Sequence, residues 1–351
     1  MDLLALRHNY CAIKKHLKNH KSNANIWSVV KADAYGHGLM RVADMLADKA
    51  DGFALLDVEA AIALREAGIR QPIVLLEGVF EFNDVLTCLE YNLIPVVHSM
   101  EQLRMLSKTA PTLPLYLKFN TGMNRLGFSE KQISEIKQKL IHVTSEITLI
   151  THFANADDDL GINWQLERFK AFQKKLELPD PCVSLANSAA IFRYPQTFYD
   201  WVRPGITLYG GSPFPDTSAA ELGLRPVMTL ESEIIAIQHL ASGERVGYGG
   251  VFTANHPMRI GIVACGYADG YPRHAPNGTP ILVGSQRSAL VGRVSMDLLA
   301  CDLTHLPGAD TGSRVVLWGE GLPAEEVAAS AGTICYELFC ALARRVPVIE
   351  V

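Results

Sequence analysis

Among the seven cysteines of this 351-residue sequence there is neither a C-x-x-C pair nor a metal-ligand spacing. Cys11, Cys88, Cys182, Cys265, Cys301, Cys335 and Cys340 are scattered through apolar stretches. A disulfide scaffold and a zinc module are therefore excluded, no metal is expected, and the cysteines read as small core residues in a reducing compartment. No run approaches the ~18 apolar residues needed to span a bilayer, and the N-terminus lacks a basic stretch followed by an apolar one. A soluble, cytoplasmic protein with no membrane partner is expected. Basic residues are not in excess either. Lys and Arg number 32 against 37 Asp and Glu, a net charge of −5 with no long basic run, so nucleic-acid binding has no compositional support. With 27 Gly and 18 Pro the chain is not low-complexity, and 48% hydrophobic against 20% charged residues excludes disorder as its main state. At about 150 residues per domain the length suggests two domains, and small molecules are the expected partners.

From about residue 25 to about residue 210, apolar runs of strand length alternate with segments of helical period. The candidate strands are 27–30, 53–56, 73–76, 94–97, 115–119, 149–152, 183–186 and 201–202. Amphipathic stretches such as 58–67 and 164–176 lie between them. Eight such units in this length favour a closed (β/α)8 TIM-like barrel over an open sheet, although periodicity alone leaves closure undecided. After Leu224-Arg225-Pro226 the rhythm changes to alternation and Gly-rich turns, with further β-type runs near 260–265, 281–283 and 315–318 and one short helix near 324–330. The expected organisation is an α/β barrel over 1–225 and a mostly-β C-terminal domain over 226–351, the first few residues being candidates to pack on the β domain.

In a parallel barrel the working groups sit where the strands end, because all the βα loops open on one face. The first end reads Val29-Val30-Lys31-Ala32-Asp33-Ala34-Tyr35-Gly36-His37-Gly38. A lysine there is a candidate Schiff-base nucleophile, although on position alone a strand-end lysine is mostly solvated. The fifth end is Lys118-Phe119-Asn120-Thr121-Gly122-Met123-Asn124-Arg125-Leu126-Gly127, where Arg125 suits bidentate capture of a carboxylate or, equally, a surface ion pair. His152 follows the sixth strand. Asn187-Ser188 stand at an expected helix N-terminus after the seventh, and Arg203-Pro204-Gly205-Ile206 close the eighth. Such hydroxyls, amides and glycine N–H groups favour a phosphate, while Ser188 as a plain helix cap is as good a reading in isolation. A phosphorylated cofactor that forms an imine with lysine fits the whole set.

These residues resemble the alanine racemase family, pyridoxal-phosphate enzymes with an α/β barrel followed by a β domain, and the resemblance runs over nearly the whole chain. The segment 29–38 is similar to the family's cofactor-lysine signature. It implies that Lys31 carries pyridoxal 5'-phosphate and acts as one catalytic base. Arg245-Val246-Gly247-Tyr248-Gly249-Gly250 is similar to the segment bearing the second base, Tyr248, which cationic neighbours, His152 among them, would poise. The resemblance further implies phosphate ligands Tyr35, Ser188, Gly205, Ile206 and Tyr336, and cofactor contacts from His152, Asn187 and Arg203. It implies substrate binding by Arg125, by the partner's backbone near Met296, and by Tyr267 at the entrance. The implied reaction interconverts L- and D-alanine by two-base proton transfer, supplying D-alanine for peptidoglycan, in a homodimer with composite sites. One departure stands out: the family often has aspartate two residues after the loop lysine, and this chain has Asn120. Lys118 itself is present and is a candidate for carbamylation. Barrel-plus-β decarboxylases are a weaker match, since neither a Gly-Gly-Gly phosphate loop nor a Glu-Pro-Gly-Arg segment occurs. A non-catalytic pyridoxal-phosphate carrier would not need the second domain.

Overall fold

Buried parallel strands read as unbroken apolar runs because helices and core cover both their faces, and the first half of the chain has eight of them. They are β1 (Asn25–Val29), β2 (Gly52–Leu55), β3 (Ile73–Leu75), β4 (Leu93–Val97), β5 (Leu115–Lys118), β6 (Ile147–Ile150), β7 (Cys182–Asn187) and β8 (Trp201–Arg203). In this computed structural model, which describes residues 1–108, 113–140 and 146–351, the strands are hydrogen-bonded in sequence order into a closed barrel. Parallel pairing of Asn25 with Trp201 and of Ile26 with Val202 closes it, so the open sheet is excluded. The chain divides into two compact units. One comprises Tyr10–Ala34 and Gly38–Leu208, and the other comprises Met1–Asn9, Tyr35–His37 and Tyr209–Val351.

In the barrel unit the interior is filled by large side chains. Trp27 of β1 donates its indole N–H to the Tyr116 hydroxyl of β5 at 2.9 Å and stacks on Trp201 of β8 at 4.1 Å between ring centroids. Strands one and five lie across an eight-stranded barrel from each other, so this bond crosses the interior and makes it a packed core rather than a pore. The intervening helices bury one face each. In Asn163–Leu176 that face is Leu166, Phe169, Phe172 and Leu176, the spacing of an amphipathic helix.

The second unit is built on a six-stranded antiparallel sheet. Its strands are β9 (Leu230–Leu240), β12 (Met258–Val263), β13 (Pro280–Val283), β14 (Gln286–Ala289), β15 (Leu299–Asp302) and β16 (Arg314–Trp318), between which a two-stranded hairpin, β10 (Arg245–Val246) and β11 (Phe252–Thr253), stands apart. Trp318 and Tyr271 stack in its core at 6.0 Å. Besides the expected helix Ala324–Ser330 there is a second, Cys335–Cys340, which carries Tyr336. No helix among the described residues is long and apolar enough to cross a membrane.

Candidate active site

All eight barrel strands run the same way, so Lys31, Lys118, His152, Asn187 and Arg203, each at or just beyond a strand end, share one mouth. Arg203 is its most constrained member, only 5% exposed. Its Nη1 donates to Ser184 O and Ser184 Oγ, both at 2.7 Å, and its Nη2 donates to Thr151 O at 2.7 Å and Leu185 O at 3.1 Å. The remaining Nε–H has no protein acceptor among the described residues. Burial pulls the guanidinium down to about 10, against a weak opposing effect of Tyr116, so it is still a cation at neutral pH.

Crowding changes what the other charged groups are. Burial, followed by the charges of Arg203 and Arg125, brings the Lys118 amine down to about 8, with Glu77 opposing and Lys31 adding to the shift. His152 is held well below the ordinary histidine range by burial and then by Arg203, Lys118, Arg125 and Lys31. It is therefore neutral at pH 7. This overturns the expectation that His152 is one of the cations poising the second base. Lys118, Arg125, Met123 and His152 border a cavity of about 10 Å³, room for one small group.

The loop after β5 is organised by Asn120. Its Oδ1 accepts the N–H groups of Gly122 and Asn124, both at 3.0 Å, and its Nδ2 donates to Asn124 Oδ1 at 3.1 Å. The neutral amide thus builds the turn that leads to Arg125, and position 120 adds no negative charge to the mouth. After β7 it is Asn187 that caps the short helix Ser188–Arg193, accepting the Ala190 N–H at 3.0 Å. Ser188, then, is not the cap. Its hydroxyl accepts the Gly205 N–H at 2.8 Å and lies 3.2 Å from Thr207 Oγ1, next to Ile206. The Gly205 amide orients the Ser188 hydroxyl, and this hydroxyl pair beside a glycine suits a phosphate.

Between Lys31 and Gly36 the chain makes a helical turn of the wrong hand. Ala32, Asp33, Ala34 and Tyr35 have φ of 53°, 52°, 54° and 54°, and Gly36 has 74°. The Ala34 N–H bonds Val30 O and the Gly38 N–H bonds Asp33 O, each at 2.9 Å. Left-handed helix costs L-residues about 1–2 kcal/mol each, so four of them store about 4–8 kcal/mol beside the candidate cofactor lysine. Nothing in the residue types announces it.

In the second unit the rings of Tyr35 and Tyr336 lie 6.0 Å apart, and Tyr35 stacks on Tyr209 at 5.0 Å. The two expected phosphate tyrosines are thus neighbours. Tyr248 is in a tight turn, Tyr248–Gly250, rather than a β run, and is 68% exposed; in its own chain it is not a packing residue. Tyr267 and Met296 belong to paired segments, with the Tyr267 N–H on Ser295 O at 3.0 Å and the Ala268 N–H on Met296 O at 2.9 Å. Arg345 ties the same segments together through Asp269 at 2.7 Å and Asp297 at 2.6 Å.

Five contributors went unnoticed in the sequence. Glu77 and His98 follow β3 and β4 and satisfy the same strand-end rule that singled out Lys118. Thr121, Thr151 and Gln165 are buried and neutral, and no sequence signal marks them.

Comparison with known proteins agrees with this geometry. A family model described as "Alanine racemase, N-terminal domain" matches residues 1–213, and one described as "Alanine racemase, C-terminal domain" matches residues 227–350. The chain belongs to the alanine racemase family. It is accordingly an enzyme of the racemase class. The alanine racemase of Nitrosomonas eutropha is 55% identical, the match covering 100% of this chain and 98% of that protein. A biosynthetic alanine racemase from Pseudomonas aeruginosa superimposes with a TM-score of 0.94 at 43% identity, over 100% of this chain and 98% of that one. The alanine racemase of Bartonella henselae, solved with covalently bound pyridoxal phosphate, superimposes with a TM-score of 0.88 at 28% identity, over 100% and 98% of the two chains.

Proposed function

We propose that this alanine racemase family member interconverts L- and D-alanine with pyridoxal 5'-phosphate, using Lys31 and Tyr248 as opposed bases. The observation that carries the reading is the cationic barrel mouth in which Arg203 is buried, with both amino groups spent on carbonyls and its Nε–H left over. That donor set fits an anionic, ring-nitrogen cofactor. Lys31 would hold the cofactor, Arg203 would donate to its ring nitrogen, and Ser188, Gly205, Ile206, Tyr35 and Tyr336 would take its phosphate, with His152 and Asn187 beside them. When bound, the cofactor supplies the electron sink that makes an amino acid's α-proton removable at neutral pH. Arg125 and the backbone of the partner's Met296 bind the substrate carboxylate, and Tyr267 narrows the entrance. The Lys31 amine takes the α-proton of the D-isomer and the Tyr248 phenolic oxygen that of the L-isomer, each acting as the acid in the reverse direction.

Tyr248 acts in the site of a second copy, so the working form is a homodimer. In support, the β unit leaves Tyr248, Val251, Tyr267, Met296, Leu298 and Ile334 exposed, more large apolar side chains than a solitary surface needs. Lys118 is carbamylated: its neutral amine attacks carbon dioxide, an N–C bond forms as one C=O π pair moves onto oxygen, and a proton on the nitrogen leaves to solvent. The resulting anion lies among Arg125, Arg203 and Lys31. The enzyme works in the cytoplasm and makes D-alanine for peptidoglycan.

The test is α-proton exchange in D2O, followed by proton NMR from L-alanine and D-alanine separately. Deuterium uptake with approach to an equal mixture from both sides is the expected result. Exchange without inversion removes Tyr248 as second base. No exchange by loaded, folded protein overturns the racemase reading.

A further inference from the structure

Behind the groups that line the barrel mouth runs a series of buried hydrogen bonds with a defined direction. Gln165, in the third position of helix Asn163–Leu176, is wholly buried. Its Oε1 accepts the Ala154 N–H at 2.7 Å, which fixes the orientation of the side-chain amide. Its Nε2 then donates to His152 O at 3.1 Å and to Thr121 Oγ1 at 3.0 Å. Thr151 donates its single proton to Phe119 O at 2.9 Å, so between the two hydroxyls, 2.8 Å apart, Thr121 is the donor and Thr151 Oγ1 the acceptor. The Thr151 carbonyl receives Arg203 Nη2. Every proton in the series has one destination.

The same helix moulds the loop that Thr121 opens. Arg168 Nη1 donates to Thr121 O at 3.3 Å, and its guanidinium lies 5.1 Å from the Trp164 ring centroid. A Cβ on Gly122, whose φ is +132°, would come within 2.2 Å of Trp164 and 2.8 Å of Arg168. Only glycine fits there, so the turn has one seat. A fully satisfied buried amide adds little net stability over an apolar side chain of the same shape, but it specifies a single geometry.

We propose that Gln165 is a positioning residue for catalysis, setting the Arg125 loop and His152 in register with Arg203. The proposal rests on the reading of Arg125 as the group that binds the substrate carboxylate. Gln165 touches no reacting atom and acts through Thr121 and the His152 carbonyl.

The test uses the cofactor-loaded enzyme and two readouts: KM and kcat for both enantiomers of alanine, and the Kd of propionate, alanine's skeleton without the amino group, by titration calorimetry. Gln165→Met keeps the length and removes all three bonds. It is expected to raise KM and propionate Kd at least tenfold, with a smaller fall in kcat, since misplacement by about 1 Å costs about 10²-fold. Thr121→Val, a milder change that carries the test if Gln165→Met folds poorly, shifts both values in the same direction, and Thr121→Ser restores them. In an Arg125→Ala background, Gln165→Met adds less than twofold to the propionate Kd, because the group it positions is gone. If Arg125→Ala weakens propionate while Gln165→Met and Thr121→Val leave it within twofold of wild type, the proposal alone falls. Should Arg125→Ala leave propionate binding unchanged, the carboxylate reading falls and the proposal with it.

Discussion

The left-handed turn after Lys31 inverts the usual consequence of placing glycine in a helix. In a right-handed helix Ala→Gly costs about 1 kcal/mol. Ala32 is exposed, so Ala32→Gly loses no packing, and its φ of 53° is a conformation glycine adopts freely. Removing the Cβ relieves about 1–2 kcal/mol, while the looser unfolded chain takes back about 0.4–1 kcal/mol. The net is a gain of roughly 0–1.5 kcal/mol, at most a rise of about 3 °C in Tm for a protein larger than ~250 residues. The assay is thermal unfolding of the cofactor-loaded protein by far-UV circular dichroism at one scan rate, beside Ala63→Gly in the right-handed helix Val58–Glu66 as the contrasting case. Ala63→Gly should lower Tm while Ala32→Gly holds or raises it, and kcat of Ala32→Gly should fall because the segment presenting Lys31 is less rigid. Gly36→Ala marks the other limit: its Cβ would lie 2.1 Å from Phe339 O, and a marked loss of Tm is expected. A fall in Tm for Ala32→Gly as large as that for Ala63→Gly would refute the left-handed assignment and the stored strain with it.

Three further outcomes are expected. Mixing Lys31→Ala chains with Tyr248→Ala chains should restore activity through heterodimers holding one intact site; inactive mixtures with heterodimers demonstrated by native mass spectrometry would place both bases in one chain. Ser188→Ala removes the acceptor of the Gly205 N–H and should weaken the cofactor about tenfold, at about 1.4 kcal/mol per decade, in a fluorescence-quenching titration; an unchanged affinity argues against a phosphate at that group. Lys118 stands at about 8 in the folded chain against about 10.4 unfolded, so the folded form binds fewer protons between those values. In carbon-dioxide-free buffer stability should therefore rise with pH across that window, by a slope that Lys118→Met removes, while bicarbonate should add the mass of one carbon dioxide to the Lys118 peptide of the wild type only.

How much of this was legible depends on what kind of force fixes each part. Strands such as 53–55 and 73–75 are buried on both faces, and continuous burial leaves an apolar run that can be read directly. Once the strands are placed, Lys31, Lys118, His152 and Arg203 follow from the geometry of a parallel barrel. Glu77 and His98 obey the same rule, following β3 and β4. The turn at Ala32–Gly36 was not legible because local sterics oppose it; its hand is imposed by what holds the segment at either side, including Tyr35 on Tyr209. The helix Cys335–Cys340 is six residues long and has no side-chain cap bond, so neither periodicity nor a stop signal marks it. Gln165, Thr121 and Thr151 escaped for another reason: a neutral polar residue in an apolar helix or strand looks like ordinary variation until its partners are known.

The sequence presents two lysines, two arginines and a histidine as five comparable positive groups, and folding makes them unequal. Burial in the mouth disfavours charge on each of them, the repulsion of the rest adds to it, and the groups able to shed a proton respond. His152 is held neutral, and Lys118, brought down to about 8, stays mostly protonated at pH 7 with a minor neutral fraction. Arg203 and Arg125 cannot respond in this way, and they remain as fixed charges. With Asn120 supplying loop geometry and no carboxylate, the cations of the mouth outnumber Glu77, the acidic group that acts on Lys118, and the excess favours anions from outside the chain. A phosphate, a substrate carboxylate and a carbamate on Lys118 would each meet that need. The same electrostatics thus favour binding the cofactor, holding alanine and modifying the Lys118 amine.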